Sequence, residues 1–218
     1  MGRKKSGRLA ADEFRKSTAE LRAFTAEVDG AGLSPTATNV AYDAALIKTS
    51  VAFEKLMLEC LIVAVNSDSG PLSKSTDIAF PKHMTVSHCE YLITAGGYFD
   101  FKGRGALLKD MLKYTGKPHW LYDVVSDGRY YHSLELLLAL RNFAAHESPQ
   151  AKKKMKREIF CYRRKVKDPN STFALKADFA KAYAPTSAGS WAKKQQRFDA
   201  LLNELDHIAG RIHAAAPY

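Results

Sequence analysis

The sequence predicts an all-α protein, an up-and-down bundle of four to five main helices with peripheral insertions. Three stretches carry that prediction. Residues 36–66 keep Val40, Ala44, Ile47, Val51, Leu58, Leu61 and Val65 in helical phase. Residues 134–140 are apolar at every position but Glu135. A helix of that composition has almost no polar face, so it belongs inside a bundle or an interface. Residues 191–213 carry Phe198, Leu201, Leu202, Leu205, Ile208 and Ile212 at amphipathic spacing.

The elements follow in chain order. Leu9, Phe14, Leu21, Phe24 and Val28 mark a first helix over 9–29, closed by Gly30 and Gly32. Ser34 and Pro35 then open the long helix from Thr36 to about Asn66, in which only Glu59 is charged between Leu56 and Val65. Residues 67–103 are rich in Ser, Gly, Pro, Thr and Asp and read as an insertion, with a short helix over 85–95. A helix over 104–114 is broken by residues 115–118, and Trp120, Leu121 and Tyr122 are expected to seal the bundle. The apolar helix then begins near Gly128 and is stopped by Ser148 and Pro149. Beyond it, residues 150–190 read as a basic peripheral segment, with a turn at 168–172 and a helix over 174–183. The final helix runs from Trp191 to about His213, and the last residues are expected to fray.

Composition narrows the class. The chain has 218 residues, 46% of them hydrophobic, enough for one domain over 1–218 with a real core. A net charge of +10 favours an anionic partner. No apolar run approaches the roughly 18 residues of a membrane helix, and the basic start is followed by no signal-type segment; a cytoplasmic protein without membrane association is expected. Cys60, Cys89 and Cys161 are widely spaced, so a reducing compartment is expected rather than a disulfide scaffold. His83, His88 and Cys89 match no zinc spacing, and no metal or cofactor is expected.

The end of the apolar helix carries the chemistry. Arg141, Asn142 and His146 arrive together on it. Asn142 and His146 are four apart and share a face; Arg141 lies about 140° from His146, at roughly 100° per residue, within reach of a long side chain. A guanidinium fork, an amide and an imidazole suit a phosphate group. Directly after them, residues 150–167 hold nine cations against one anion, Glu158. Lys152, Lys153, Lys154, Lys156, Arg157, Arg163 and Arg164 are the expected phosphate-backbone contacts, with Phe160 and Tyr162 interleaved as stacking groups.

The pattern Arg141, Asn142, three residues, His146, at the end of an apolar helix, resembles the signature of the HEPN superfamily of all-α endoribonuclease-like domains, and within it a RiboL-PSP-like member. An earlier helix carrying Phe53, Glu54, Lys55 and Leu56 resembles that superfamily's second core helix. The likeness covers residues 36–66 and 104–148. It implies a single HEPN-like domain that cleaves RNA without a metal, and a homodimer in which two motifs share a composite active site. It also implies an acidic residue near the motif arginine, a place Glu54 would fill. A toxin or antiviral-defence role, with an inhibitory protein partner, fits the resemblance. In the chemistry it implies, the RNA 2′-OH attacks its own phosphodiester. His146 handles protons, Arg141 stabilises the developing charge, and Asn142 holds the phosphate or fixes the imidazole. Two other functions compete: an inactive RNA-binding module, and a helical adaptor that binds no nucleic acid.

Overall fold

A computed structural model describes residues 6–166, 185–194 and 196–217, with side chains in the first stretch as far as Tyr162. Among the described residues there are ten α-helices and no strand, so the protein is all-α. The chain divides into two compact units. One collects the described residues of Met1–Arg15, Ala52–Asp127 and Ile208–Tyr218; the other collects those of Lys16–Val51 and Gly128–His207. No described helix is long and apolar enough to cross a membrane.

Helix α1 spans Gly7–Gly30, and its buried stripe differs from the one expected. Ala11, Phe14, Thr18, Thr25 and Val28 are buried, whereas Leu9 and Phe24 are exposed. The buried positions share one face at 3.6 residues per turn, and the two large apolar residues are out of phase with it. Thr25 is tolerated there because its hydroxyl donates to the Leu21 carbonyl at 3.1 Å. Helix α2, Pro35–Ser67, begins where Ser34 Oγ accepts the Ala37 N–H at 3.2 Å, with proline at the first helical position. Every residue from Cys60 to Val65 is buried, while Val40 and Val51, expected in the stripe, are exposed.

In the first unit, the expected 67–103 insertion contains two short helices, α3 (Gly70–Thr76) and α4 (Val86–Thr94). Thr85 caps α4 by accepting the His88 N–H at 3.2 Å. Helix α3 packs on α5 (Arg104–Thr115), which packs on α6 (Trp120–Ser126). Phe101 closes this unit edge-on to Phe53, ring centroids 5.3 Å apart. Arg104 bonds the carbonyls of Val125 and Ser126 at the end of α6. The tail is not frayed in the described residues: Ala216 is buried, and its carbonyl accepts Arg8 Nε at 3.1 Å.

The second unit is built on α7, Tyr131–His146, entered through a 3₁₀ turn at Gly128–Tyr130. Ser133, Leu134 and every residue from Leu136 to Leu140 are buried, so the apolar run is enclosed on all sides. It packs on α8 (Pro149–Val166) and α9 (Ala188–Ala192). Of the segment expected to be basic and peripheral, residues 150–166 are thus a helix packed on α7. Met155, Ile159 and Tyr162 are buried at the i, i+4, i+7 spacing of one face, which leaves Lys153, Lys156 and Arg157 outward. The final helix also differs from expectation. It is broken into α9 and α10 (Arg197–Ala215), with Gln196 left-handed at φ 57° between them. The expected turn at 168–172 and helix over 174–183 lie outside the described residues.

Candidate functional site

The site forms where α7 turns into α8. Glu147 ends α7 in the left-handed conformation, its N–H bonding the Phe143 carbonyl at 3.0 Å. Ser148 follows, and its Oγ accepts the Ala151 N–H at 3.2 Å, with Pro149 at the first position of α8. Two residues therefore separate the helices, and the corner holds their facing side chains together. Ala139, Asn142 and His146 of α7, Ser148 of the corner, and Gln150, Ala151 and Lys154 of α8 line a cleft of ≈ 340 Å³. The α7 residues are spaced i, i+3, i+7, the pattern of one helix face. His146 is exposed, and Asn142 and Arg141 are half-buried.

Arg141 is placed differently from its two companions. Its Nη1 donates to Asn142 Oδ1 at 3.0 Å, and it is not among the residues that line the cleft. The guanidinium meets the cleft through Asn142. With Oδ1 accepting from Arg141, the Asn142 NH₂ remains the donor end of that side chain.

The cations of α8 separate into three settings. Lys154 lines the cleft. Lys152 lies with its Nζ 5.9 Å from the centroid of the buried Phe143 ring. At roughly 100° per residue these two stand about 160° apart, at opposite edges of the buried face. Lys153, Lys156, Arg157 and the 57%-exposed Phe160 occupy the outer face between them. Tyr162, expected to stack on bases, is instead fully buried, its OH donating to Glu204 Oε1 at 2.9 Å. Burial holds that phenol well above the ordinary tyrosine range, and the Glu204 charge adds to it. The side chains of Arg163 and Arg164 lie outside the described residues.

Glu54 lies on α2 in the first unit, where its Oε1 accepts the Phe101 N–H at 3.2 Å. Arg141 belongs to the second unit. The acidic residue that sequence reasoning passed over is Asp43, in the same unit as the cleft. Its Oδ1 accepts the Gly189 N–H at 2.6 Å. Burial raises its carboxyl above the usual range; the Gly189 N–H opposes that, and Glu147, at the end of α7, adds to it. Among the described residues, no group of three or more His, Cys, Asp or Glu is arranged to hold a metal ion.

Ser148, Gln150 and the special position of Lys154 were also missed. The signal was present: Ser148 followed by Pro149 is a helix start as well as a stop, and Met155, Ile159 and Tyr162 are in helical phase. No protein-family model matches the chain, and neither a curated protein nor a solved structure matches it significantly.

Proposed function

We propose that this protein is a HEPN-like, metal-independent endoribonuclease that cuts RNA at the α7–α8 cleft by attack of the 2′-OH on the adjacent phosphodiester. The observation that carries the reading is the convergence of Asn142 and His146 with a lysine in one cleft, bordered by the cationic outer face of α8. The exposed His146 imidazole can take the 2′-OH proton. Amide and cationic donors can hold the phosphate and stabilise its developing charge. The leaving 5′-oxygen must also gain a proton, and a second copy of the chain facing the first would supply a second His146 for it. Lys153, Lys156 and Arg157 would hold the strand through its phosphates, and Phe160 offers a stacking surface. A toxin or antiviral-defence role, with an inhibitory protein partner in the cytoplasm, suits such an activity.

Substrate chemistry tests the reading. RNA should be cut, while DNA and RNA bearing 2′-O-methyl at the cut site should survive, because the nucleophile is absent or blocked. Cleavage of the 2′-O-methyl substrate at the same bond would refute the mechanism. A second reading is favoured by one observation: Arg141 is turned onto Asn142, so the motif could serve as an anchor in an RNA-binding module that does not cut. Salt-sensitive RNA binding without any product would select that reading, and absence of both would leave the helical adaptor.

A further inference from the structure

The geometry points to Lys154 as the cation that meets a phosphate in the α7–α8 cleft, with Arg141 one step behind it as the residue that positions Asn142. This assignment rests on the reading of the cleft as an RNA-cleaving site and exchanges the roles that the Arg-x4-His pattern suggests.

Three observations lead to it. Lys154 lines the cleft together with Asn142 and His146, and Arg141 does not. The Arg141 guanidinium is engaged instead on Asn142 Oδ1 at 3.0 Å, a bond that fixes the amide with its NH₂ as the donor end. The neighbouring lysines have other settings: Lys152 lies against the Phe143 ring, and Lys153 is on the outer face of α8. Position on the helix, rather than charge density, therefore singles out one lysine of three. Its Nζ carries three donors and a full charge on a flexible stem. Together with the Asn142 amide it makes a two-point clamp for a tetrahedral anion beside an imidazole. The cleft volume, ≈ 340 Å³, lies within the roughly 300–1,000 Å³ range of small-ligand sites.

The chemical role follows from the place. Attack of the 2′-oxygen on phosphorus forms one P–O bond while the P–O5′ bond breaks; the 2′-OH proton goes to His146, and O5′ leaves with the bonding pair and takes a proton from the His146 of the second copy. Negative charge grows on the non-bridging oxygens in between. An ammonium in the cleft stabilises that charge without giving up a proton. Arg141 polarises and holds the amide that shares the load.

The test uses the full-length protein and single variants, with inorganic phosphate as a binding probe and labelled RNA as substrate. Phosphate binding is followed by the shift of the His146 ring protons in NMR, and cleavage by the single-turnover rate at saturating RNA. Lys154→Gln should weaken phosphate binding about tenfold or more and lower the saturated rate about 10²-fold. Lys154→Arg should recover most of both. Lys16→Gln, at an exposed lysine paired with Glu20 on α1, should leave both phosphate binding and the saturated rate within about twofold. Arg141→Ala should lower the rate, yet cost nothing further when combined with Asn142→Ala, because it acts through that amide; Arg141→Lys should restore part of it.

The outcomes separate the two claims. Cleavage that is lost in His146→Ala but unchanged in Lys154→Gln overturns the assignment and spares the nuclease reading. Lys154-dependent phosphate binding with no cleavage supports the cation assignment and overturns the nuclease reading. A wild-type protein that neither binds phosphate in the cleft nor cuts RNA overturns both.

Discussion

Gly189→Ala is a sharp structural test of how the cleft-bearing helix is supported. Gly189 sits in α9, which packs on α7. A Cβ at this position would lie 2.0 Å from the Asn39 carbonyl oxygen, 2.9 Å from its carbon and 3.0 Å from the Asp43 nitrogen. All three are backbone atoms of α2, so no rotamer change relieves the clash. Extra methyl groups in packed sites ordinarily cost about 1–3 kcal/mol where side chains can yield. Against backbone the upper end applies. Displacing α9 also costs the Gly189 N–H bond to the Asp43 carboxylate, and bonds to charged groups contribute about 1.5–3 kcal/mol. The expected loss is therefore about 4.5–6 kcal/mol. At about 2–4 °C per kcal/mol for a chain of this size, the melting temperature should fall by about 10–20 °C. Thermal unfolding by circular dichroism measures it. Gly210→Ala is the control: a methyl group there would meet nothing within 4 Å, and alanine in a helix interior should stabilise by about 0.5–1 kcal/mol. An unchanged melting temperature for Gly189→Ala would refute the packing of α9 on α2.

Four further outcomes follow from the second unit. Changing Lys153, Lys156 and Arg157 together to Gln should lower the slope of log affinity against log salt for single-stranded RNA by up to about 2, at about 0.7 per phosphate contact; an unchanged slope places the RNA track elsewhere. Tyr162→Phe removes a donor to a buried carboxylate and should cost about 1–3 kcal/mol of stability without altering RNA affinity. Phe160→Ala should do the reverse, weakening binding by about 1–3 kcal/mol, and equal effects of the two on affinity would contradict their assignment to opposite faces of α8. Because Asp43 has its carboxyl raised by burial, the folded state binds its proton more tightly than the unfolded chain does. Its contribution is thus fully present below the ordinary aspartate range, near about 3.9, and is lost as pH rises through the raised value. Asp43→Asn keeps an oxygen for Gly189 and removes the buried charge, so the variant should gain stability relative to wild type across that window; a parallel pH profile would argue against it.

Much of the fold was legible in the sequence because the apolar phase of α2 and α7 is long and nearly uninterrupted, and such runs admit few alternatives. The motif face was legible for the same reason: Asn142 and His146 are four apart on a helix whose end is marked by a proline. What escaped was the other wall of the cleft. In residues 150–167 nine cations hide the buried stripe of Met155, Ile159 and Tyr162, so charge suggested a solvated segment where residues 150–166 form a helix packed on α7. Reading Pro149 as a stop concealed that it also starts α8. Arg141 donates to its chain neighbour Asn142, and spacing alone does not decide which group a long side chain meets. The stripe of α1 was misread because threonines with satisfied hydroxyls take buried places that hydropathy assigns to Leu9 and Phe24.

The most direct measurement of the central claim is cleavage of labelled RNA by the purified protein in excess chelator, with product ends identified, beside His146→Ala. Cleavage should persist and leave 2′,3′-cyclic phosphate and 5′-hydroxyl ends, and the variant should lose it while keeping its fold and RNA affinity. Activity that vanishes in chelator and returns with a divalent ion, or a His146→Ala variant that cuts at the parental rate, would contradict it.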